Sequence, residues 1–157
     1  ARRVHSWEPR PAAARCRRWS NAPYTPLVEV VAIIGASRDR RKFGNKAVRA
    51  FQRRGYNVVV INPNCATAAA PNDRVEGVRA YGSVLDVPGA IDIATLYVPP
   101  AIGERVVDHV AARQIPALWV NPGAESAQLV ARARALGLEA TLHCSIVAIG
   151  ESPADYE

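Results

Sequence analysis

The stretch Val30–Asn45, VVAIIGASRDRRKFGN, decides the fold of this chain. It opens with a run of five apolar residues that stops at Gly35, and such a run is typical of a β-strand buried on both faces. Small and apolar residues then recur with the spacing of one helix face, at Gly44, Ala47, Val48 and Phe51. Gly55 follows and predicts the end of that helix. A buried strand, a short loop and an amphipathic helix form the first half of a parallel βαβ unit.

The alternation of strands and helices continues along the rest of the chain. Further strands are predicted at Val58–Ile61, Ile91–Val98, Ala117–Val120 and Glu139–Leu142. Two more helical stripes consist of Ile102, Val106, Val107 and Val110, and of Leu129, Val130, Ala133 and Leu136. Ser126 is a predicted N-cap of the second of these helices, and Gly137 its end. Residues 65–76 show no clear period and are predicted to form a long surface loop. Parallel units with right-handed crossovers imply an α/β, Rossmann-like, doubly wound and mostly parallel sheet in a single domain.

Length and charge restrict the function classes. The chain has 157 residues, enough for one domain at roughly 100 to 200 residues each. No apolar run approaches the ~20 residues of a membrane-spanning helix, so we expect no membrane insertion. The net charge of +6 is distributed unevenly. Residues 1–26 hold six arginines and one glutamate, residues 38–54 hold eight basic residues and one acidic residue, and the remainder is acidic.

The first 26 residues read as a basic extension, followed by a domain over residues 27–157. The extension contains four prolines and no sustained period, which places it outside the predicted core. Its Arg-rich, acid-poor composition resembles an organellar transit peptide or its remnant, which suggests a mitochondrial location, with the cytoplasm as the alternative. An inert solvated arm is equally compatible with the charge. Trp7 and Trp19 favour an arm that docks on a protein or RNA surface.

Cysteine and histidine give no sign of catalysis or metal binding. The three cysteines are widely spaced, at Cys16, Cys65 and Cys144. Without a CxxC pair or a Cys/His cluster, neither a disulfide framework nor a metal site is predicted. Cys144 beside His143 is either an activated thiol or a small buried residue. His5 and His109 have no legible triad partners, and His109 is expected to be solvated. No catalytic residue is therefore predicted.

An anion site is predicted at the end of the first strand, because ligands of doubly wound sheets bind beyond the carboxyl ends of the strands. Gly35, Ala36 and Ser37 supply backbone N–H groups beside a helix N-terminus. Four basic residues follow them: Arg38, Arg40, Arg41 and Lys42. Basic side chains at the start of a helix oppose its macrodipole, so a polyanionic ligand would explain them. The alternative is a solvated basic helix face.

The class of nucleotide follows from the motifs that are missing. The segment lacks the G-x-G-x-x-G fingerprint, and the second strand ends in Asn62-Pro63, where a dinucleotide site has an acidic residue for the ribose. These differences disfavour NAD. NADP tolerates the missing acid and remains an alternative. No Walker sequence occurs, so nucleoside triphosphate hydrolysis has no support.

Five segments carry a resemblance to a known family. They are VVAIIGAS, Asn62-Pro63, YGSVLDVP at 81–88, LYVPPA at 96–101 and WVNPGAES at 119–126. In this order they resemble the coenzyme A-binding Rossmann proteins, which are related to the amino-terminal domain of the succinyl-CoA synthetase α subunit. The likeness runs from about Val30 to Ile149. Asn121 departs from the Gln that is usual in the small stand-alone members, and His143-Cys144 departs from their Arg-Cys.

The resemblance implies a site for coenzyme A or acyl-CoA. It implies a pyrophosphate at Gly35–Ser37, contacted by nearby Arg or Lys side chains, and it gives adenine and pantetheine contacts to Asn62, Pro63, Val98 and Pro99. Asn121 is a further expected site residue. The synthetase's phosphorylatable histidine belongs to a later domain. We therefore expect a binding module without catalysis of its own, a structural or regulatory subunit docked on a larger organellar assembly through its tail. The alternatives are an NADP-binding oxidoreductase-like domain and an acyl-CoA synthetase subunit that needs a partner chain.

Overall fold

In the part of the chain that the structure describes, the fold is a seven-stranded sheet covered by helices on both faces. The computed structural model describes residues 28–66 and 73–157. The strands are β1 (Val30–Ile34), β2 (Asn57–Ile61), β3 (Arg74–Val75), β4 (Val78–Tyr81), β5 (Ile93–Leu96), β6 (Ala117–Val120) and β7 (Ala140–Leu142). Their order in the sheet is β3-β4-β2-β1-β5-β6-β7, and every pairing is parallel except that of β3 with β4. The predicted α/β, doubly wound, mostly parallel architecture is confirmed.

The helices fall into two layers. Their bounds are α1 (Phe43–Arg53), α2 (Pro100–Ala112), α3 (Ala127–Ala135) and the short α4 (Ser145–Ala148), with 3₁₀ turns at Val84–Asp86 and Pro153–Tyr156. Buried side chains of α1 and α4 form one core cluster with one face of the sheet. Those of α2 and α3 form a second cluster on the other face. The crossover through α1 therefore lies on one face of the sheet and those through α2 and α3 lie on the other, as in a doubly wound sheet.

The central strand β1 explains why both layers are needed. Val31 and Ile33 belong to the cluster under α1, whereas Ala32 and Ile34 belong to the cluster under α2 and α3. All four side chains are buried. Because successive side chains of a strand point to opposite faces, a continuous apolar run requires a core on each side. The sequence-based prediction of a strand buried on both faces is confirmed.

The prediction that residues 65–76 form one long loop is wrong at its end. β3 and β4 form a hairpin through Glu76 and Gly77, which have φ of 50° and 80°. β4 then pairs in parallel with β2. Two consecutive positive φ values favour Asn-Gly or Asp-Gly. Because Glu76 stands at the first of these positions, the sequence did not indicate a hairpin turn here. Residues 67–72 of the predicted loop lie outside the described residues.

The strand predicted at Ile91–Val98 is shorter than expected, since β5 comprises only Ile93–Leu96. Before the strand, Asp92 Oδ2 accepts a hydrogen bond from the backbone N–H of Val30 at 2.8 Å. After Leu96, the Tyr97 N–H still donates to the Ile34 carbonyl of β1 at 2.8 Å, and α2 begins at Pro100. The N-cap predicted at Ser126 is correct, since its Oγ accepts a hydrogen bond from the Leu129 N–H at 3.0 Å. In the described part of the chain, no helix has the length and apolarity to cross a membrane.

Candidate functional site

A cleft of about 870 Å³ lies at the carboxyl ends of the strands. The segments that follow β1, β2, β4, β5 and β6 contribute its walls, together with the start of α1 and one face of α2. This is the position at which open α/β sheets bind ligands. The cleft is therefore the candidate functional site.

Two glycines, Gly35 after β1 and Gly44 in α1, allow the segments around the end of β1 to pack closely. Gly35 has a φ of +98°, and a Cβ on it would lie 2.5 Å from the carbonyl oxygen of Tyr97. Its backbone N–H donates to the Ile61 carbonyl at 2.8 Å, which ties the turn to the end of β2. A Cβ on Gly44 would lie 3.0 Å from Ala36 Cα. The missing side chains let the turn at 35–37 pack directly on the start of α1.

Two helices present N-termini without side-chain caps to this cleft. Lys42 occupies the N-cap of α1 and Pro99 that of α2, and neither side chain caps its helix. Both residues line the cleft. The first N–H groups of a helix have no partner within it and carry a partial positive charge, which is the usual basis of phosphate binding. In α2 the first position is Pro100, which has no N–H, so α1 offers more of these donors. By contrast, Ser126 caps α3 with its side chain and lies outside the cleft lining.

Eight of the twelve predicted site residues line the cleft. They are Gly35, Ser37, Lys42, Asn62, Pro63, Val98, Pro99 and Asn121. The other four, Ala36, Arg38, Arg40 and Arg41, lie outside the lining. Ala36 is fully buried, and its carbonyl accepts a hydrogen bond from Asn62 Nδ2 at 2.9 Å. The turn and the end of β2 are thereby held together.

The arginines of the predicted phosphate loop bind protein groups instead of lining the cleft. Arg40 pairs with Glu76 at 3.3 Å and Arg41 with Asp39 at 3.0 Å, and both arginines line a separate pocket of about 210 Å³. Arg38 Nε donates to the Arg74 carbonyl at 3.2 Å. The hydrogen bond from Arg41 lowers the pKa of Asp39.

The expectation that these basic residues occupy the first turn of a helix is therefore corrected. Residues 38–42 precede α1, which begins at Phe43. Of the four basic residues in this segment, Lys42 faces the cleft. The lining given by the described residues contains no aspartate or glutamate, so Lys42 and the two helix ends set a positive potential there.

Asn121 stabilises the floor of the cleft. Its side chain is buried, and its Nδ2 donates to Thr95 Oγ1 at 2.8 Å and to the Leu96 carbonyl at 2.9 Å. Its Oδ1 accepts from the Ser145 N–H at 2.8 Å. Both amide protons are thus used within the protein. Asn121 joins β5, β6 and α4 and shapes the site, and the ligand contact expected of it stays a prediction.

Tyr97 connects the cleft wall to the same α4 segment. Its hydroxyl lies 2.6 Å from Ser145 Oγ, and burial raises the pKa of the phenol far above its ordinary value. The phenol is therefore neutral across the physiological range and is available for hydrogen bonding. Motif reading missed this residue, although it lies inside the LYVPPA segment.

Several cleft residues were not identified from the sequence. Phe43 and Ile102 are large apolar side chains, 55% and 44% exposed at the cleft, where they offer surface to an apolar part of a ligand. Ser83 and His109 also line it, and Ser83 Oγ lies 3.3 Å from His109 Nδ1. The predicted exposure of His109 is correct. Its position over the end of β4 depends on how α2 crosses the sheet, which sequence spacing does not reveal.

The two cysteines that the structure describes, Cys65 and Cys144, lie in different environments. Cys65 is buried and lines the cleft, whereas Cys144 is half-buried against the core under α1 and is not in the cleft lining. Beside it, burial lowers the pKa of His143, whose ring packs edge-on against Trp119. Within residues 28–66 and 73–157, no three His, Cys, Asp or Glu side chains are grouped to hold a metal ion.

Comparison with known proteins gives a family match over most of the described residues. The family model described as "CoA binding domain" matches residues 29–150. Among curated proteins, the acetate–CoA ligase [ADP-forming] II subunit alpha of Pyrococcus furiosus is 34% identical over 70 residues. That stretch is 44% of this chain and 14% of the ligase subunit, so the chain spans a small part of this relative.

Solved structures agree with the family match. A conserved hypothetical protein from Pyrococcus furiosus is similar over 78% of this chain and 99% of its own, with a TM-score of 0.68 and 28% identity. A dinucleotide-forming acetyl-coenzyme A synthetase 1 of Candidatus Korarchaeum cryptofilum, in complex with phosphate and ADP, is similar over 71% of this chain and 25% of its own. Its TM-score is 0.57, with 28% identity.

Proposed function

The chain belongs to the CoA binding domain family, and from that premise we propose that it binds coenzyme A or acyl-CoA in this cleft without catalysing a reaction itself. One observation carries the proposal: the uncapped N-terminus of α1 meets the tight turn at 35–37 at the ligand-binding edge of the sheet. Lys42 adds a positive charge at the same point. These features suit the pyrophosphate of coenzyme A.

The arrangement of the cleft suggests how the rest of the ligand lies. In dinucleotide folds the adenosine ribose lies over the end of the second strand, which here carries Asn62 and Pro63. The pantetheine arm then extends the other way, over the ends of β5 and β6, past Val98 and Pro99. Phe43 and Ile102 supply apolar contact near the start of the two helices. In this orientation the adenosine contacts the cleft wall on one side of the pyrophosphate, and the pantetheine arm contacts the wall on the other side.

The chemistry of the lining favours binding over catalysis. Within the described residues it contains no carboxylate that could act as a general acid or base. Ser83 and His109 form a pair, but the lining given by the described residues holds no third, orienting carboxylate beside them. The matched proteins support coenzyme A and give no support to the NADP alternative.

Calorimetric titration of the purified chain with four nucleotides tests the proposal. We expect coenzyme A to bind at least tenfold more tightly than NADP, and NAD to bind most weakly, because the cleft lacks the dinucleotide fingerprint. A tenfold ratio is a difference of about 1.4 kcal/mol, which the method resolves. NADP binding more tightly than coenzyme A would contradict the proposal. Turnover of an acyl-CoA by the isolated chain would contradict its non-catalytic part.

We further propose that residues 1–26 dock the domain on a larger, organellar assembly. This segment lies outside the described residues, so the support is its composition: six arginines and one glutamate, with Trp7, Trp19 and Tyr24. Such a segment suits an acidic protein surface or RNA. The similar acetate–CoA ligase chain from Pyrococcus furiosus is itself a subunit of its enzyme.

Limited proteolysis of material from the native source tests the docking. We expect the arm to be protected within its complex and cleaved once high salt dissociates that complex, because salt screens the arginine contacts. A native chain that starts near Leu27 and runs as a free monomer would contradict docking and leave the segment as a targeting sequence.

A further inference from the structure

A polar pair lies at the β4 end of the cleft, away from the start of α1. Ser83 follows β4, and His109 lies on the face of α2 that lines the cleft. Ser83 Oγ accepts a hydrogen bond from the Leu85 N–H at 3.1 Å and lies 3.3 Å from His109 Nδ1. With one lone pair occupied by Leu85, the hydroxyl proton is free to be donated to Nδ1.

Donation from the Ser83 hydroxyl would give the imidazole a defined role. When Nδ1 accepts, the ring proton of the neutral form is on Nε2, and that atom becomes a donor. Among the described residues, no side-chain or backbone group is bonded to His109 Nε2. The side chain is exposed in the cleft, so Nε2 is available to an acceptor of the ligand.

The strand order gives the distance between this pair and the pyrophosphate position. β4 lies two strands from β1 in the sheet, so their ends are separated by roughly 10 Å at ~4.8 Å per strand. The end of β2 lies between them and is where the adenosine ribose of a Rossmann ligand is bound. A phosphate carried by that ribose therefore reaches the end of β4.

We propose that His109, oriented by Ser83, binds the ribose 3′-phosphate of coenzyme A. This rests on the proposed function and adds to it the feature that distinguishes coenzyme A from its 3′-dephospho form. The lining at this end has no lysine or arginine among the described residues, since Lys42 lies at the start of α1. His109 contacts the ligand directly, and Ser83 is a positioning residue.

The test is a set of titrations of wild type and His109→Gln with coenzyme A and 3′-dephospho-coenzyme A. We expect His109→Gln to weaken coenzyme A binding about fivefold, a modest figure because the site is exposed. Binding of the dephospho form should change less than twofold. Arg105→Gln, on the same helix one turn earlier and outside the cleft lining, is the matched control and should leave both affinities unchanged.

Ser83 variants test the orienting hydrogen bond. Ser83→Ala should lower the preference for coenzyme A over the dephospho form, and Ser83→Thr, which keeps the hydroxyl, should restore it. A purely structural role would lower both affinities together with the melting temperature and would not change the ratio. An unchanged ratio in Ser83→Ala would overturn the positioning role.

The remaining outcomes separate this inference from the proposed function. If wild type binds both ligands equally, or if His109→Gln retains the full preference, the 3′-phosphate assignment is wrong while coenzyme A binding stands. If wild type binds neither ligand, the proposed function fails and this inference fails with it. Dephospho-coenzyme A binding by His109→Gln at the wild-type affinity shows that the variant is folded.

Discussion

Gly35→Ala is expected to lower the free energy of unfolding of the domain by about 3 kcal/mol or more. The cost has two causes, because alanine disfavours the positive φ at this position and its Cβ would clash with neighbouring atoms. The added Cβ would lie 2.5 Å from the Tyr97 carbonyl oxygen and 2.7 Å from a Val98 methyl group. The first of these atoms belongs to the backbone, so relief requires β1 and β5 to move apart at the floor of the cleft. Urea unfolding measures the loss.

Gly55→Ala is the matched control for that variant. Gly55 also has a positive φ, +83°, but a Cβ there would meet no atom within 4 Å. Its cost should therefore be the conformational penalty alone, roughly 1 kcal/mol. The difference between the two variants isolates the close approach of the β1 turn to β5. Equal losses would show that backbone conformation, and not packing, requires glycine at position 35.

Lys42→Glu is expected to weaken coenzyme A binding by a factor of ten or more. The substitution removes a cation that can make a charge-assisted hydrogen bond, typically about 1.5 to 3 kcal/mol, and places a carboxylate beside the bound pyrophosphate. Part of that energy is screened because the side chain is exposed. Calorimetric titration at low and moderate salt provides the measurement, and the loss should be larger at low salt.

Arg41→Glu makes the same change of charge one residue earlier. Arg41 is 91% exposed but faces the second pocket, where it pairs with Asp39. Its effect on coenzyme A affinity should be less than threefold, which reverses what the sequence alone suggested for this arginine. If the two variants lose affinity equally, general charge attraction holds the ligand and the start of α1 is not a formed site.

The fold was predictable from the sequence because its strongest signals are local. The apolar run of β1, the helical stripe of α1 and the N-cap at Ser126 each depend on neighbouring residues. The hairpin of β3 and β4 escaped prediction because its turn uses Glu76 at a positive φ. β3 has only two residues, too few to show an alternating pattern.

The site was predictable only in part, since side-chain direction decides which residues meet. The positions of Gly35 and of the residues after β2 and β5 could be predicted from where the strands end. These residues line the cleft. Arg40 and Arg41 are adjacent to Lys42 in sequence but lie on the other side of the loop, held by acidic partners. His109 reaches the cleft through the crossing of α2 over the sheet, which has no signature in the spacing of residues.

The central position of β1 has a consequence for how the chain folds as it is synthesised. β1 pairs with β2 on one side and with β5 on the other, and Val30 bonds to Asp92 across 62 positions of the chain. Synthesis at roughly 5 to 20 residues per second leaves about 3 to 12 s between the two partners. During that interval one edge of a fully apolar strand has no neighbour, which is the state most prone to incorrect pairing. Productive folding of this domain therefore waits for β5, and the nascent chain is the form that most needs protection from aggregation.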